Sequence, residues 1–430
     1  MKTNLQLILL SILLLTFGCK EKTNGQKTTG IEKQVERKIS IEQQIDSTVE
    51  KKKKVVPKHY EHKYVIARSG LNYRDSPNGK VLGKFPLNTS LKLIEHTKIA
   101  DKINDGGKII EGEWVGVQNW IGSVKDSEIV YVFNGFLSTS YVQSDIKLYN
   151  VSSFYKSNEG TTRTAFLNLS ETYFENTYNE NEDRNKNLIL NETDLKKDTI
   201  RLNKNQRKKL MDKLKVSESD KVFIYIMKTD NTLSFNVKDL PAIACMNIYG
   251  PSSDYRNDEF DYMFGFDLDK SIINWDDNLV FIGKENPFQT GKLKPIVWTK
   301  IKNNQFPIIN GLNKNDKSLT TYRFATNKYD YFLQKATERA LCHHIIVIDN
   351  ASKEIVFDQL YCDGEGTSKT GLNIVGNENS EFHQSQWTGK LLKNKASIIF
   401  GFSYFGFGCP SINVLDETEP VIPILCDNRH

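Results

Sequence analysis

Beyond about residue 60 the apolar residues fall in short runs separated by polar turns. From Tyr64 to Val142 these runs are Tyr64–Arg68, Val81–Phe85, Ser90–Glu95, Glu113–Val117 and Ile129–Phe133, punctuated by Gly, Pro and Asn. Closely spaced short strands without helical periodicity predict a small barrel. Residues 150–430 continue the texture in Val222–Met227, Ile243–Tyr249, Leu279–Gly283, Ile296–Ile301, His344–Ile348, Glu354–Tyr361 and Ala396–Phe402. These runs are rich in Ile, Val, Phe and Tyr and bounded by Asn, Asp, Gly and Lys, which predicts an antiparallel β-rich domain. Two segments carry a helical pattern: Asn203–Leu214, with Leu210 and Leu214 four apart, and Asn327–Leu341. Ser170–Thr199 is polar and acidic and reads as a long surface loop.

The first 63 residues differ. Leu5–Phe17 is apolar but for Gln6, Ser11 and Thr16, follows the cationic Lys2, and ends at Gly18-Cys19. It is shorter than the ~20 residues of a membrane-spanning helix and has the layout of an export signal. The small residue before Cys19 resembles the lipobox of bacterial lipoproteins, which implies that Cys19 is lipidated and becomes the N-terminus. Residues 20–63 read as a charged flexible tether. They hold the run Lys51–Lys54, and within them no aromatic residue precedes Tyr60 apart from the imidazole of His59. Ile31, Val35 and Ile39, then Ile41, Ile45 and Val49, recur at spacings of four, but the register slips between Ile39 and Ile41.

Charge sharpens this division. The 430-residue chain has a formal charge of +5, yet residues 20–63 alone carry 12 Lys/Arg against 7 Asp/Glu. Residues 64–430 hold 45 basic and 46 acidic side chains. The body is neutral and the excess lies beside the expected anchor, which favours an anionic membrane surface over nucleic acid. Lys20 does not resemble the Asp that marks inner-membrane retention, so the outer membrane is the preferred address.

Tyr64–Phe85, YVIARSGLNYRDSPNGKVLGKF, resembles the opening of bacterial SH3 (SH3b) domains. The residues that carry the likeness are Ala67, Leu71, Asn72, Arg74, Pro77, Val81, Leu82 and Gly83, followed by Trp114-Val115-Gly116-Val117. Tyr131–Leu137 takes the place of the closing strand, and Lys98–Gly112 is an insertion relative to compact members. The resemblance implies an SH3-like barrel over 64–142 that binds cell-wall peptides or stands beside wall-modifying enzymes. Tyr73, Trp114, Trp120 and Tyr131 are the aromatic candidates for its groove, Trp114 reading more readily as a core residue and Trp120, in the polar stretch QNWIGS, as the better surface candidate. Independently of the likeness, Pro77-Asn78-Gly79 is a turn sequence with Gly79 suited to φ > 0, and Arg74 is expected to support that turn.

Signs of catalysis are few. Asp363–Gly371, DGEGTSKTG, lacks the Gly before Lys369 that a phosphate loop needs, and Leu372–Val375 after it reads as a strand. Gly401–Gly406 misses the G-x-S-x-G elbow by one residue and reads as a core strand. Adjacent His343 and His344 point to opposite faces of a strand and cannot share a metal. Asp254, Asp258, Glu259, Asp261, Asp267 and Asp269 fit no Ca²⁺ loop spacing and read as a solvated loop. Cys245 followed by His343 or His383 has the chain order of papain-like peptidases. Ala242–Met246, however, reads as a buried strand, not the helix start that stabilises a thiolate.

The remaining cysteines suit an oxidising compartment. Folding His343–Asp349 onto Glu354–Tyr361 about Ser352 sets Cys342 opposite Cys362, and folding Ser411–Leu415 onto Val421–Leu425 sets Cys409 opposite Cys426. Directly opposed residues lie within disulfide reach. The expected bonds are therefore Cys342–Cys362 and Cys409–Cys426, with Cys245 free and buried.

The chain thus reads as mainly β: an SH3-like barrel, then a larger antiparallel β-rich domain with one or two helices. The preferred function is non-catalytic binding or scaffolding near peptidoglycan by a lipid-anchored envelope protein, with no catalytic residue, metal or cofactor assigned. One rival is a wall hydrolase or peptidase with its chemistry in residues 150–430. Another is a lipoprotein that binds a second envelope protein, its SH3b-like part purely structural.

Overall fold

A computed structural model describes residues 60–119, 128–155, 163–177, 188–247, 250, 258–268, 278–307, 319–336, 342–376 and 385–429. The expected signal and lipidation residue Cys19, most of the tether, and Trp120, Asp254, Asp269 and His383 lie outside them. Among the described residues the chain is mainly β, with curled antiparallel sheets and two α-helices.

The N-terminal sheet has seven strands: β1 (His62–Val65), β2 (Leu71–Arg74), β3 (Val81–Phe85), β4 (Ser90–Asp105), β5 (Lys108–Asn119), β6 (Val130–Phe133) and β7 (Leu137–Ser138). They lie in the order β3-β2-β6-β5-β4-β1-β7. Val65, Leu71, Phe85, Leu91, Leu93, Val115, Val117, Val130 and Val132 fill its concave side. The expected insertion is an extension of two barrel strands. β4 and β5 stay paired out to Asp105 opposite Lys108, closing on Gly106 and Gly107 at φ 57° and 91°. Paired positive φ is what a two-residue hairpin turn requires. In the earlier turn the left-handed residue is Asn78 (φ 56°), not Gly79. Gly79 is needed for space instead, since a Cβ there would strike Asp75 and Ser76.

The remaining strands form sheets that share buried layers. In the nine-stranded sheet, Lys221–Ile226 pairs with Asn231–Asn236 and Asn278–Gly283. Val222 and Ile224 point into one core and Phe223 and Tyr225 into another. Each buried side chain of this size contributes about 1.5–3 kcal/mol, and having both faces covered explains the unbroken apolar run. The first core is closed by a five-stranded sheet containing Ala242–Met246 and Tyr262–Asp267 and by two helices, α1 (Ser170–Thr177) and α2 (Lys204–Leu214). A second five-stranded sheet, ending Tyr329–Ala336, Cys342–Asp349, Ile355–Cys362, packs Tyr329, Tyr331, Leu333, Ile345 and Val347 against Trp298 and Phe402. One pair departs from antiparallel: Ile422–Leu425 runs parallel to Leu148–Tyr149, which ties the last strand to the first one after the barrel.

α2 follows its sequence pattern. Asn203 Oδ1 accepts the amides of Asn205 (3.0 Å) and Gln206 (3.1 Å), and Gln206 returns a bond to the Asn203 amide. This reciprocal cap satisfies N–H groups that a helix start leaves open. Other segments overturn expectation. Tyr329–Ala336 is a strand, not part of a helix over 327–341, because Tyr329, Tyr331 and Leu333 are buried at a period of two. Ser170–Thr177, expected as loop, is a helix whose Tyr173, Phe174 and Thr177 are buried. Of Ile296–Ile301 only Thr299–Ile301 is a strand; Leu293–Pro295 forms a separate strand before it, and the buried Trp298 lies between the two. Leu372–Val375 forms no strand and makes one isolated bridge, Ile374 to Trp298. Ser403–Phe405 is a strand but lies at the surface, with Tyr404 67% exposed.

Candidate functional site

The barrel aromatics expected to form a groove do not come together: Tyr73 packs on the core side, Trp114 is buried, and Tyr131 is half-buried on β6. Tyr73 stacks on Phe85 at 4.5 Å between ring centroids and is half-buried on the core side of β2. Tyr131, half-buried on β6, directs its hydroxyl to Glu95 Oε2 at 3.5 Å. Burial and the Glu95 carboxylate both push that phenol's pKa up, so it stays a neutral donor. Tyr131 is the register partner of Arg74 on one side and Gly116 on the other. Glycine at 116 leaves room there, since a Cβ would press on Ile129 and Glu95.

Trp114 corrects the groove expectation. It is 3% exposed, its indole N–H donates to Asp101 at 3.1 Å, and the Arg74 guanidinium covers its ring at 5.5 Å. It therefore supports the surface from below and offers no face to a ligand. The Lys102 amide and the Trp114 indole hold the Asp101 carboxyl below the usual range. Arg74 also donates to Gly79 O at 2.6 Å, so it braces the turn as expected while stacking on the tryptophan. The register of β2 on β3 shifts between Tyr73 and Arg74. Such bulges re-aim side chains.

The resulting surface carries a phenol on β6, a guanidinium at Arg74 on the adjacent β2, and a carboxylate at Glu95 on β4, across the intervening β5. Donors and acceptors of both charges over an aromatic base suit recognition of a zwitterionic polar ligand. They hold no activated nucleophile. Glu95 and Asp101 were not singled out by sequence reasoning. Alternation along β4 would set Glu95 on the same inward face as Leu91 and Leu93; the register shift between Leu93 and Glu95 turns it to the other face, and no sequence signal marked that shift.

The Cys, Lys and His residues singled out for other chemistry are held in structural contacts. Burial raises the Cys245 thiol pKa, with Asp427 and Asp267 adding to it. A thiol so disposed is a poor nucleophile at neutral pH. Lys369 is ion-paired with Asp363, and its amide donates to the same carboxylate at 2.8 Å, so a counter-charge already occupies the one lysine of the DGEGTSKTG loop. His344 Nε2 sits 2.6 Å from Asp358. Burial, then Lys369 and Lys335, pull His343 down to about 4. Among the described residues no three His, Cys, Asp or Glu groups gather as a metal set. Glu259, expected in a solvated loop, is 1% exposed and accepts the Tyr173 hydroxyl and the amides of Ile189 and Leu190.

Both expected disulfides are present. Cys342 and Cys362 are direct partners across their strands, with Cα atoms 3.8 Å apart. Cys409 and Cys426 are joined at a Cα separation of 5.5 Å. There the ladder runs Ser411 to Pro423 and Ile412 to Ile422, one residue off the expected fold-back. That bond therefore closes just beyond the ladder instead of across it. Cys245 is free and buried. No family model, curated protein or solved structure matches this chain.

Proposed function

We propose that this protein is a lipid-anchored envelope protein that binds peptidoglycan peptides non-catalytically through its SH3b-like barrel. The observation that carries the reading is the Tyr131–Glu95–Arg74 surface, braced from below by Trp114 and Asp101. Stem peptides carry carboxylates and amines, which pair with a guanidinium on β2 and a carboxylate on β4, the two strands flanking β6 and β5. Two disulfides support an oxidising location, and the Gly18-Cys19 ending of the apolar leader supports a lipid anchor. The buried Cys245 speaks against a peptidase using that thiol.

The test is co-sedimentation of the full-length protein with purified sacculi. Tyr131→Ala with Glu95→Gln is expected to lower the bound fraction severalfold, and the muropeptide profile of the incubated sacculi should stay unchanged. Equal sedimentation of variant and parent removes the barrel surface as the binding site. Released cross-links favour the hydrolase. Labelled palmitate incorporated by the parent and lost in Cys19→Ala tests the anchor. The protein-interaction reading draws on Tyr404 and Phe407, 67% and 60% exposed. It is favoured if sacculi are not bound at all.

A further inference from the structure

The two disulfides differ in what surrounds their sulfurs. Exposure does not set the pair apart, since Cys409 and Cys426 are half-buried while Cys342 is half-buried and Cys362 exposed; what marks Cys409–Cys426 is that it sits against the first turn of α1. Glu171 Oε2 lies 3.5 Å from Cys409 Sγ and accepts the Cys426 amide at 3.0 Å. The same amide is 3.2 Å from Cys409 Sγ. Cys426 Sγ instead faces a carbonyl oxygen, Gly408 O, at 3.7 Å. The sulfurs are therefore unequal: negative charge on Cys409 meets an N–H donor, whereas negative charge on Cys426 meets a carbonyl.

We propose that Cys409–Cys426 is an exchangeable disulfide that accepts electrons from a dithiol, with Glu171 as the acid that protonates the leaving Cys409. A thiolate of the dithiol attacks Cys426 Sγ, forming a mixed disulfide there and breaking the Cys409–Cys426 bond. Cys409 departs as a thiolate beside the Cys426 N–H and takes the Glu171 proton, leaving a carboxylate. The second thiol of the dithiol then attacks its own sulfur in the mixed disulfide. Cys426 is released as a thiolate that takes up a proton, and the dithiol leaves as a disulfide. Two electrons pass from the dithiol to the cysteine pair. The departing sulfur's identity governs such exchange, a more stable thiolate leaving faster.

Glu171 is suited to hold the proton. Burial raises its pKa, Glu175 on its own helix and Asp427 from the C-terminal segment raise it further, and the Cys426 amide and Lys147 oppose them. The consequence lies in the next three residues. Arg429, ion-paired with Asp427, covers the rings of Phe174 and Phe260 and donates to the carbonyls of Phe260 and Tyr262. Opening the bond removes the covalent tie between this clasp and the loop that carries Cys409, leaving the bond from the Gly408 amide to Asn428 Oδ1 at 2.6 Å.

The test treats the full-length oxidised protein with glutathione or dithiothreitol, quenches by alkylation and maps the peptides. Glutathione is expected on Cys426 with Cys409 alkylated, and Cys409–Cys426 is expected to open at least about tenfold faster than Cys342–Cys362. The rate, corrected for reductant thiolate, should fall as pH rises through the Glu171 titration. Glu171→Gln should slow it by about tenfold or more and flatten that profile. Glutathione on Cys409, simultaneous opening of both bonds, or an unchanged profile in Glu171→Gln overturns the proposal. The site of glutathione attachment in the parent decides the matter even if the variant does not fold.

Discussion

Glu259 and Tyr173 stand 86 residues apart in the chain and 2.5 Å apart in space, carboxylate to hydroxyl, inside the core. The other Glu259 oxygen accepts the Ile189 and Leu190 amides at 2.8 and 3.1 Å. One side chain thus ties α1, the following loop and the chain entering the Tyr262–Asp267 strand together. Burial raises its pKa against the pull of these donors. Glu259→Ala leaves two buried amides and a hydroxyl without acceptors and should destabilise by about 3 kcal/mol. Glu259→Gln keeps an oxygen for the amides and an NH₂ for the Tyr173 oxygen, and should lose less than about 1 kcal/mol. Urea unfolding of both variants checks the contrast.

The Asn203 cap gives a second measurement. Asn203→Ala removes the acceptor for two amides at the start of α2 and should reduce stability by about 1 kcal/mol. Asn203→Asp retains that acceptor and should stay near the parent. Thermal melts followed by circular dichroism distinguish the two.

Gly83 faces the Tyr73 ring so closely that an added Cβ would meet its hydroxyl end. Gly83→Ala should displace Tyr73 from Phe85 and destabilise the barrel by about 1–3 kcal/mol. Tyr73→Phe with Gly83→Ala should recover part of the loss, which a double-mutant cycle reads directly.

His343 supplies a pH dependence with a defined sign. Its folded pKa of about 4 lies below the ordinary 6.5, so the unfolded chain binds its proton first. The contribution of neutral His343 is intact above pH 6.5, falls as pH drops from 6.5 to 4, and is gone below. The full effect is about 3 kcal/mol. His343→Gln should flatten unfolding free energy across this window relative to the parent.

Local pattern was legible wherever one interaction decides structure. Val81–Phe85 and the α2 start were readable because turn residues and a cap act within a few positions. The Cys342–Cys362 pairing was readable because a short hairpin sets its own register. The candidate site was half legible. Tyr131 and Arg74 stood out as residue types, but Glu95 comes from another strand, and of the two readings open for Trp114 its burial selects the core one. Asn327–Leu341 misled because its mixed spacing imitates a helix, whereas pairing with Leu319–Ala325 and Cys342–Asp349 imposes a period of two.

The sequence by itself determined the β-rich character, the short strands, the capped helix and the cysteine partners, all governed by contacts between near neighbours in the chain. Only the tertiary structure decided that Ser170–Thr177 is helical, that Glu259 is buried, that Trp114 is a support under Arg74, and that Glu171 stands beside Cys409–Cys426. Each of these depends on groups tens to hundreds of residues apart. Their energies arise from burial and charge, and a side chain's neighbours in sequence do not report either.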